Sequence, residues 1–341
     1  MRLRLGAWAV AAVMLGGCAD YPPLYPDMDP KRLDEEVRIQ QEMAFDRWMA
    51  DLEHLHTFYA PLIAAAEPFC KTGMGFDYGW AYGNIFDWPL NWRDLAHERY
   101  QVDEHPRIEY VKPGGAAERA GIQPRDAIAA IGGRKIKPNR YAWDYLRRAI
   151  GKTRREDGGL VVDLRRDEAP FSVTVVPDWV CDFPVVLLRD DVTNAYANGL
   201  GTYITSGMMR FLRDDRELAQ VLTHEIAHNI LGHYRYNPGW KSTPAISQML
   251  EVEADYVGLY LLARAGYDLE GAADLWRRMG AEHVESIKAT SRSSHPTSPQ
   301  RYLAISDTTR EIEGKRSVNE PLVPDFKARI NKYGWEYLGI D

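Results

Sequence analysis

Residues 217–234 read ELAQVLTHEIAHNILGHY and contain the motif H-E-x-x-H. Its apolar residues recur every three or four positions, which predicts a buried helix. His224 and His228 are one turn apart on this helix and therefore point the same way. Two imidazoles on one face can hold zinc, and Glu225 beside the first can act as a base on water.

The third ligand is expected on a second helix, residues 247–262. A third histidine six residues after His228, the metzincin pattern, is excluded because that position is Tyr234. Carboxylates inside an apolar helix are costly unless they are paired or bound to metal. We therefore predict Glu251 as the third ligand. Asp255, four residues later on the same face, is expected to accept a hydrogen bond from the far nitrogen of a liganding histidine.

Glu253 lies between these two acids in the sequence. At roughly 100° per residue it points about 200° away from Glu251. We expect it to be solvated or paired elsewhere. His233 and the five histidines outside the zinc motifs are expected to have ordinary surface or core roles; these five are His54, His56, His97, His105 and His283.

The motif H-E-x-x-H followed by E-x-x-A-D resembles metallopeptidase family 48. The likeness extends over about 181–305, where residues 194–205 read NAYANGLGTYIT and Ser294-His295-Pro296 is followed by Arg301. Members of the HtpX and CaaX-prenyl-endopeptidase type carry a transmembrane helix between the motifs. Residues 234–245 are polar here, which favours the soluble BepA-type branch.

By this resemblance the fold class is α+β, a gluzincin with an active-site helix, a glutamate helix and a small sheet with one exposed edge. It implies one zinc ion per chain, bound by His224, His228 and Glu251, with one position open for water. Glu225 would take a proton from that water and pass it to the leaving amine.

The resemblance also suggests residues that contact substrate. His295 and Arg301 are candidates to stabilise the oxyanion. In BepA-like relatives the matching histidine can instead occupy the fourth zinc position and hold the enzyme latent. The edge strand would pair with an extended substrate; its residues are Asn194, Ala195, Tyr196 and Ala197.

Residues 107–176 contain short strands, a Gly132-Gly133 turn and a helix over 141–150, an order that resembles a PDZ domain of the bacterial protease type. One departure is Arg125, where these domains usually have Gly. We expect a groove that accepts an extended peptide or a C terminus. The alternative is a small β-rich domain with only a packing role.

Cys70 and Cys181 lie just before and just after this module. In an oxidising compartment they could form a disulfide that clamps the two ends of the module. The alternative is a pair of buried free thiols.

The N terminus resembles the signal of a bacterial lipoprotein. Arg2 and Arg4 precede an apolar stretch over 5–15, which is too short to span a bilayer, and the chain continues as Leu-Gly-Gly-Cys18. We expect lipidated Cys18 to anchor the protein to a membrane of the cell envelope, facing the periplasm. In a Gram-negative cell, Ala19 after the cysteine resembles the outer-membrane sorting pattern. The alternative is a cleaved signal with an incidental cysteine.

The 341 residues are 45% hydrophobic and 27% charged, which is typical of a globular chain with two or three domains. A net charge of −7 without a Lys/Arg run argues against a nucleic-acid partner. The expected segments are a signal peptide (1–17), a tether (18–32), the N-terminal helical part of the peptidase domain (33–70), a PDZ-like domain (71–177) and the catalytic domain (178–341).

The function expected from the sequence is a lipid-anchored zinc endopeptidase that acts on extended or misfolded envelope proteins, with the PDZ-like module selecting or presenting them. The first alternative is a binding protein or chaperone whose peptidase activity is latent or lost. The second is a structural lipoprotein scaffold. Intact Glu225 argues against a dead enzyme.

Overall fold

The computed structural model describes residues 28–70, 73–167, 169–235, 243–288, 290 and 293–325. Cys18 and the signal and tether segments up to residue 27 lie outside the described residues. Two compact units are present, residues 1–44 and residues 45–341. The described part of the first unit is mostly exposed helix, with an ion pair of 3.0 Å between Arg38 Nε and Glu42 Oε1.

The first helix, α1, spans Pro30–Ala66. In the second unit its apolar positions recur at helical spacing and are buried; they are Leu55, Tyr59, Leu62, Ile63 and Ala66. Tyr59 donates a hydrogen bond of 2.7 Å from its hydroxyl to the backbone oxygen of Phe183. This part of α1 therefore belongs to the core formed by residues 178–325, the region that the sequence predicts to be catalytic and that is called the catalytic region below.

The PDZ region is a six-stranded sheet with helices against it. The sheet order is β2-β3-β4-β6-β7, with β5 paired to β4. Its strands are β2 (Trp80–Gly83), β3 (Arg107–Val111), β4 (Ala127–Ile131), β5 (Arg134–Lys135), β6 (Leu160–Arg166) and β7 (Ala169–Val175). Its helices are α2 (Arg93–Tyr100), α3 (Ala116–Arg119) and α4 (Ala142–Thr153).

This region has a hydrophobic core of its own. Alternate residues of β6 point inward, and α4 covers the sheet with residues three or four positions apart. The buried residues of these two elements are Leu160, Val162, Leu164, Ala142, Leu146 and Ala149. Arg125 has a φ of 78°, in the left-handed region. This backbone conformation explains why glycine suits the position better.

A two-stranded ribbon holds the two ends of the PDZ region together. Strand β1 (Met74–Asp77) pairs antiparallel with β8 (Asp178–Cys181). Beside the ribbon, Cys70 and Cys181 are joined by a disulfide with their Cα atoms 5.7 Å apart. Both cysteines are almost fully buried and belong to the core of the catalytic region.

The catalytic region combines a three-stranded sheet with helices. In the sheet, β11 (Thr202–Thr205) lies between parallel β9 (Val185–Leu188) and antiparallel β10 (Ala195–Ala197). Its helices are α5 (Ser206–Phe211), α6 (Asp215–Ile230), α7 (Pro244–Arg264), α8 (Asp274–Glu282) and α9 (Ser298–Ser317). Among the described residues, no helix combines the length and apolar character that crossing a membrane requires.

Candidate metal centre

Helices α6 and α7 carry the residues of the centre, and each begins with a side-chain cap. Asp214 accepts a hydrogen bond from the backbone N–H of Glu217 at 2.9 Å, and Thr243 accepts one from Ile246 at 3.3 Å. The two helices pack closely where Gly258 faces His224. A Cβ atom on Gly258 would lie 3.0 Å from the backbone N and Cα of His224. Glycine therefore permits the close approach.

This packing brings His224, His228 and Glu251 together. Their ligand atoms all lie within 4.8 Å of one another. The two Nε2 atoms are 3.2 Å apart, and Glu251 is 3.3 Å from Nε2 of His224 and 3.4 Å from Nε2 of His228. Two imidazoles and a carboxylate are a known donor set of catalytic zinc sites, in which the fourth position is open. The three residues fit a zinc ion.

Burial and neighbouring charges shift the pKa values of Glu225 and Glu251 in opposite directions. Burial raises the pKa of Glu225 to about 7, and the charge of Glu251 adds to the rise. For Glu251 burial acts in the same direction, but the neighbouring His228 and His224 outweigh it and hold its pKa well below the usual value. Glu251 is thus poised as an anionic ligand, whereas burial makes the carboxylate of Glu225 a stronger base.

Asp255 contacts the first histidine from behind. Its Oδ1 is 3.0 Å from Nδ1 of His224, the ring nitrogen opposite the metal-facing Nε2. Arg301 donates two hydrogen bonds to this carboxylate, of 2.8 Å to Oδ2 and 2.6 Å to Oδ1. The guanidinium of Arg301 also lies over the ring of Trp276, 3.3 Å from its centroid. Arg301 therefore holds Asp255, and its oxyanion role stays a prediction.

His295 lies at the mouth of the site, with 60% of its side chain exposed. Its Nε2 is 3.4 Å from Oε1 of Glu251, and its Nδ1 is 2.8 Å from the hydroxyl of Ser294. This position next to the third ligand is compatible both with contact to a substrate and with closure of the metal site.

The structure also places His233 against the ligand His228, a contact that the sequence interpretation missed, and it pairs Glu253 with His233, away from the ligands, as one of the two expected alternatives. His233 is only 3% exposed, and its Nδ1 lies 2.9 Å from Nδ1 of His228. Its Nε2 lies 3.3 Å from Oε2 of Glu253. The ordinary core role expected for His233 is incomplete, because the ring touches a candidate ligand. The signal in the sequence was a third histidine five residues after His228.

A cleft of about 980 Å³ contains these groups and the edge strand. Asn194, Ala195, Tyr196 and Ala197 all line it, together with Glu225. Among the described residues β10 pairs only with β11, so its outer edge has no strand partner. The ring of exposed Tyr196 stacks on Tyr203 with the centroids 4.9 Å apart. The cleft can therefore take an extended chain beside the metal ligands.

The comparisons with known proteins agree with this geometry. Residues 177–243 and 238–309 match peptidase family M48, and residues 107–150 match the PDZ domain family. The mitochondrial metalloendopeptidase OMA1 of Schizosaccharomyces pombe is 27% identical over 179 residues, which are 41% of this chain and 52% of that protein. The mitochondrial metalloendopeptidase OMA1 of Arabidopsis thaliana is 26% identical over 144 residues, 34% of this chain and 30% of that protein.

The chain thus spans about half or less of the length of these curated relatives. A solved structure of the HtrA3 PDZ domain bound to a phage-derived ligand is 20% identical and covers 31% of this chain and 88% of that domain. The TM-score of this comparison is 0.24. The family matches thus show that residues 177–309 are similar to peptidase family M48 and residues 107–150 to the PDZ domain family.

Proposed function

We propose that this protein is a zinc-dependent endopeptidase of the gluzincin type that hydrolyses peptide bonds in extended or misfolded proteins. One observation carries the proposal. The donor atoms of His224, His228 and Glu251 lie within 4.8 Å of one another, in a cleft that Glu225 also lines. Both curated relatives are metalloendopeptidases by name, which supports the same chemistry.

Each residue of the centre has a role in the proposed reaction. Zinc held by the two histidines and Glu251 supplies a Lewis acid that polarises a carbonyl and lowers the pKa of water. Glu225 takes a proton from the attacking water and later gives it to the leaving amine. Burial raises the pKa of Glu225, which makes its carboxylate a stronger base toward that proton.

The substrate is proposed to bind as an added strand. Because the outer edge of β10 faces the cleft, an extended chain can form backbone hydrogen bonds with Ala195 and Ala197. The stacked pair of Tyr196 and Tyr203 offers an apolar surface to its side chains. His295 at the mouth is the better placed of the two oxyanion candidates, because Arg301 is bonded to Asp255.

The remaining parts of the proposal concern partners and location. The PDZ domain suggests peptide binding, and we propose that it selects or presents substrate chains. The sequence around Cys18 supports a lipid anchor in the bacterial envelope, on the periplasmic side and, in a Gram-negative cell, at the outer membrane. A Cys18→Ser variant that remains in the membrane fraction like the wild type would contradict the anchor.

A second function is favoured by the position of His295. Its Nε2 lies 3.4 Å from Glu251, where the ring can close the open metal position. The protein would then act as a PDZ-containing binding protein or chaperone with latent peptidase activity.

Casein cleavage separates the two functions. The wild type and Glu225→Gln are both loaded with one equivalent of zinc, verified by metal analysis, and incubated with unfolded casein. Cleavage by the wild type alone supports the endopeptidase. If neither protein cleaves but His295→Ala does, latency through this histidine is supported. If none of the three cleaves while zinc is bound, the endopeptidase proposal is wrong.

A further inference from the structure

Two buried residues behind His228 form a chain that ends at the candidate metal centre. Nδ1 of His228 is 2.9 Å from Nδ1 of His233, and Nε2 of His233 is 3.3 Å from Oε2 of Glu253. The rings of the two histidines are nearly perpendicular, at 82° with centroids 4.8 Å apart. The order Glu253, His233, His228 therefore leads from α7 to a ligand on α6.

The local backbone explains why His233 reaches this place. Helix α6 ends at Ile230, and Gly232 follows with a φ of 69°, a conformation that favours glycine. The chain then enters a short 3-10 turn, His233–Arg235, which directs the His233 ring back beneath the last turn of α6. The contact is thus built into the helix end.

If Nε2 of His228 binds the metal, the positions of the protons on His228 and His233 follow. For Nε2 of His228 to offer its lone pair to a metal, the proton must sit on Nδ1. Nδ1 can then donate only if Nδ1 of His233 is bare, which places the His233 proton on Nε2. The nitrogen that carries this proton lies 3.3 Å from Oε2 of Glu253, within ion-pair distance, although the two groups are not aligned as a hydrogen bond. The opposite arrangement would put a proton on the metal-facing nitrogen of His228.

The other histidine ligand, His224, also has a carboxylate partner, but with no residue between them. Nδ1 of His224 contacts the carboxylate of Asp255 directly, at 3.0 Å. His228 reaches its carboxylate only through His233. Glu253 is about as buried as the ligands themselves, with 10% of its side chain exposed. Because burying a charged carboxylate is costly unless it is paired, the contact with the His233 imidazole stabilises Glu253.

We propose that His233 and Glu253 are positioning residues, which set the tautomer and the ring orientation of His228 and thereby the zinc affinity of the site. The inference rests on the proposed zinc site. Partners behind liganding histidines typically change metal affinity 10- to 100-fold when they are removed.

Zinc dissociation constants test this inference directly. They are measured for the metal-free full chain at pH 7.5 by competition with a chromophoric chelator. We expect His233→Ala to weaken zinc binding about 10- to 100-fold. His233→Gln, whose side-chain oxygen can still accept the proton of His228, should weaken it less. Glu253→Gln, which has the same shape, should weaken it about 3- to 10-fold, because its effect is transmitted through a neighbour.

The double variant tests the order of the chain. Because Glu253 acts through His233, the double variant His233→Ala/Glu253→Gln should bind zinc no more weakly than His233→Ala alone. Two matched controls are available in the PDZ region and on α1. His56→Ala removes a histidine that stacks on Tyr110, and Glu109→Gln alters a carboxylate of β3. Both should bind zinc like the wild type.

The outcomes separate this inference from the proposed function. Wild-type affinity in all three single variants would overturn the inference, even if casein is cleaved. Weakened binding in the order given supports it, even if the zinc-loaded wild type fails to cleave casein. If His233→Ala lowers the melting temperature of the metal-free protein, the isosteric Glu253→Gln decides. The inference is also overturned if zinc binding is weakened equally in the two control variants. It is overturned as well if the wild type binds no zinc.

Discussion

Removal of the disulfide between Cys70 and Cys181 should destabilise the catalytic region measurably. The change is the double variant Cys70→Ser/Cys181→Ser, or reduction of the wild type. The two cysteines are 111 residues apart in the sequence, and the bond therefore closes a long loop in the unfolded chain. If the whole loop unfolds, the chain-entropy relation gives a contribution of about 5 kcal/mol.

The size of the effect depends on whether the PDZ region unfolds together with the catalytic region. The ribbon pairs Met74 with Cys181, so a PDZ region that stays folded keeps the two ends together. The disulfide then closes a loop of only a few residues, for which the same relation gives about 2 kcal/mol. We therefore expect a loss between about 2 and about 5 kcal/mol in the free energy of unfolding.

Urea unfolding followed by tryptophan fluorescence measures this difference. The oxidised wild type should unfold at a higher urea concentration than the reduced wild type. The serine variant should match the reduced protein and should not respond to reductant. A difference below about 1 kcal/mol between the oxidised and reduced wild type would refute the reasoning.

Three further predictions concern packing, pH and metal. Gly258→Ala should lower the free energy of unfolding by about 1 to 3 kcal/mol and weaken zinc binding, because its Cβ meets the backbone of His224. Gly314→Ala in α9, where a Cβ meets no atom within 4 Å, should not destabilise; equal losses in both would contradict this account. Burial lowers the pKa of His56 to about 4, so the folded state binds fewer protons than the unfolded state between about pH 6.5 and pH 4. As the pH falls through this window, the free energy of unfolding of the wild type should therefore fall by up to about 3 kcal/mol relative to that of His56→Gln. If the urea midpoints of the two proteins differ by the same amount at every pH from 7 to 4, the prediction is wrong. Zinc at 100 times its dissociation constant should raise the free energy of unfolding by about 2.7 kcal/mol, and a chelator should reverse the gain. No shift in melting temperature on chelation would mean that the folded state does not bind zinc preferentially.

The helical period of the sequence predicts which side chains of the metal site share a helix face. His224 and His228 are on one helix face, and Glu251 and Asp255 share a face of the next helix. The spacing of four therefore predicts which side chains can converge once the two helices pack. Glycine at position 258, which lets the helices pack closely, carried no such signal, because a glycine inside a helix has several explanations.

His233 and Glu253 could not be found by the same reasoning. The period places Glu253 on a different face from Glu251, and it does not describe the chain beyond the end of α6. The positive φ of Gly232 and the turn that follows bring His233 back to His228. Such contacts depend on how a helix ends and on what packs against it.

The PDZ region shows a similar limit. Strands β6 and β7 alternate apolar and polar residues, and the sequence predicts them. The stretch from Gly73 to Glu98 has no clear period, since many of its aromatic side chains pack in tertiary clusters. Trp88 stacks on Phe45 of α1 with the ring centroids 4.5 Å apart. Partners so distant in sequence leave no local pattern.

The ribbon of β1 and β8 makes residues 78–177 an exchangeable cassette. Asp77 pairs with Asp178 at the end of the ribbon, so a short artificial turn could join the two sides once the cassette is removed. Helices α6 and α7 lie outside it, and a different recognition module could therefore be grafted there without rebuilding the chemistry. Two contacts would be lost on removal: Arg189 lies 4.1 Å from the ring centroid of Trp88 and donates a hydrogen bond to the backbone oxygen of Asp87, and Phe45 is fully covered in a cluster with Trp88. A graft would need a polar residue in place of Phe45.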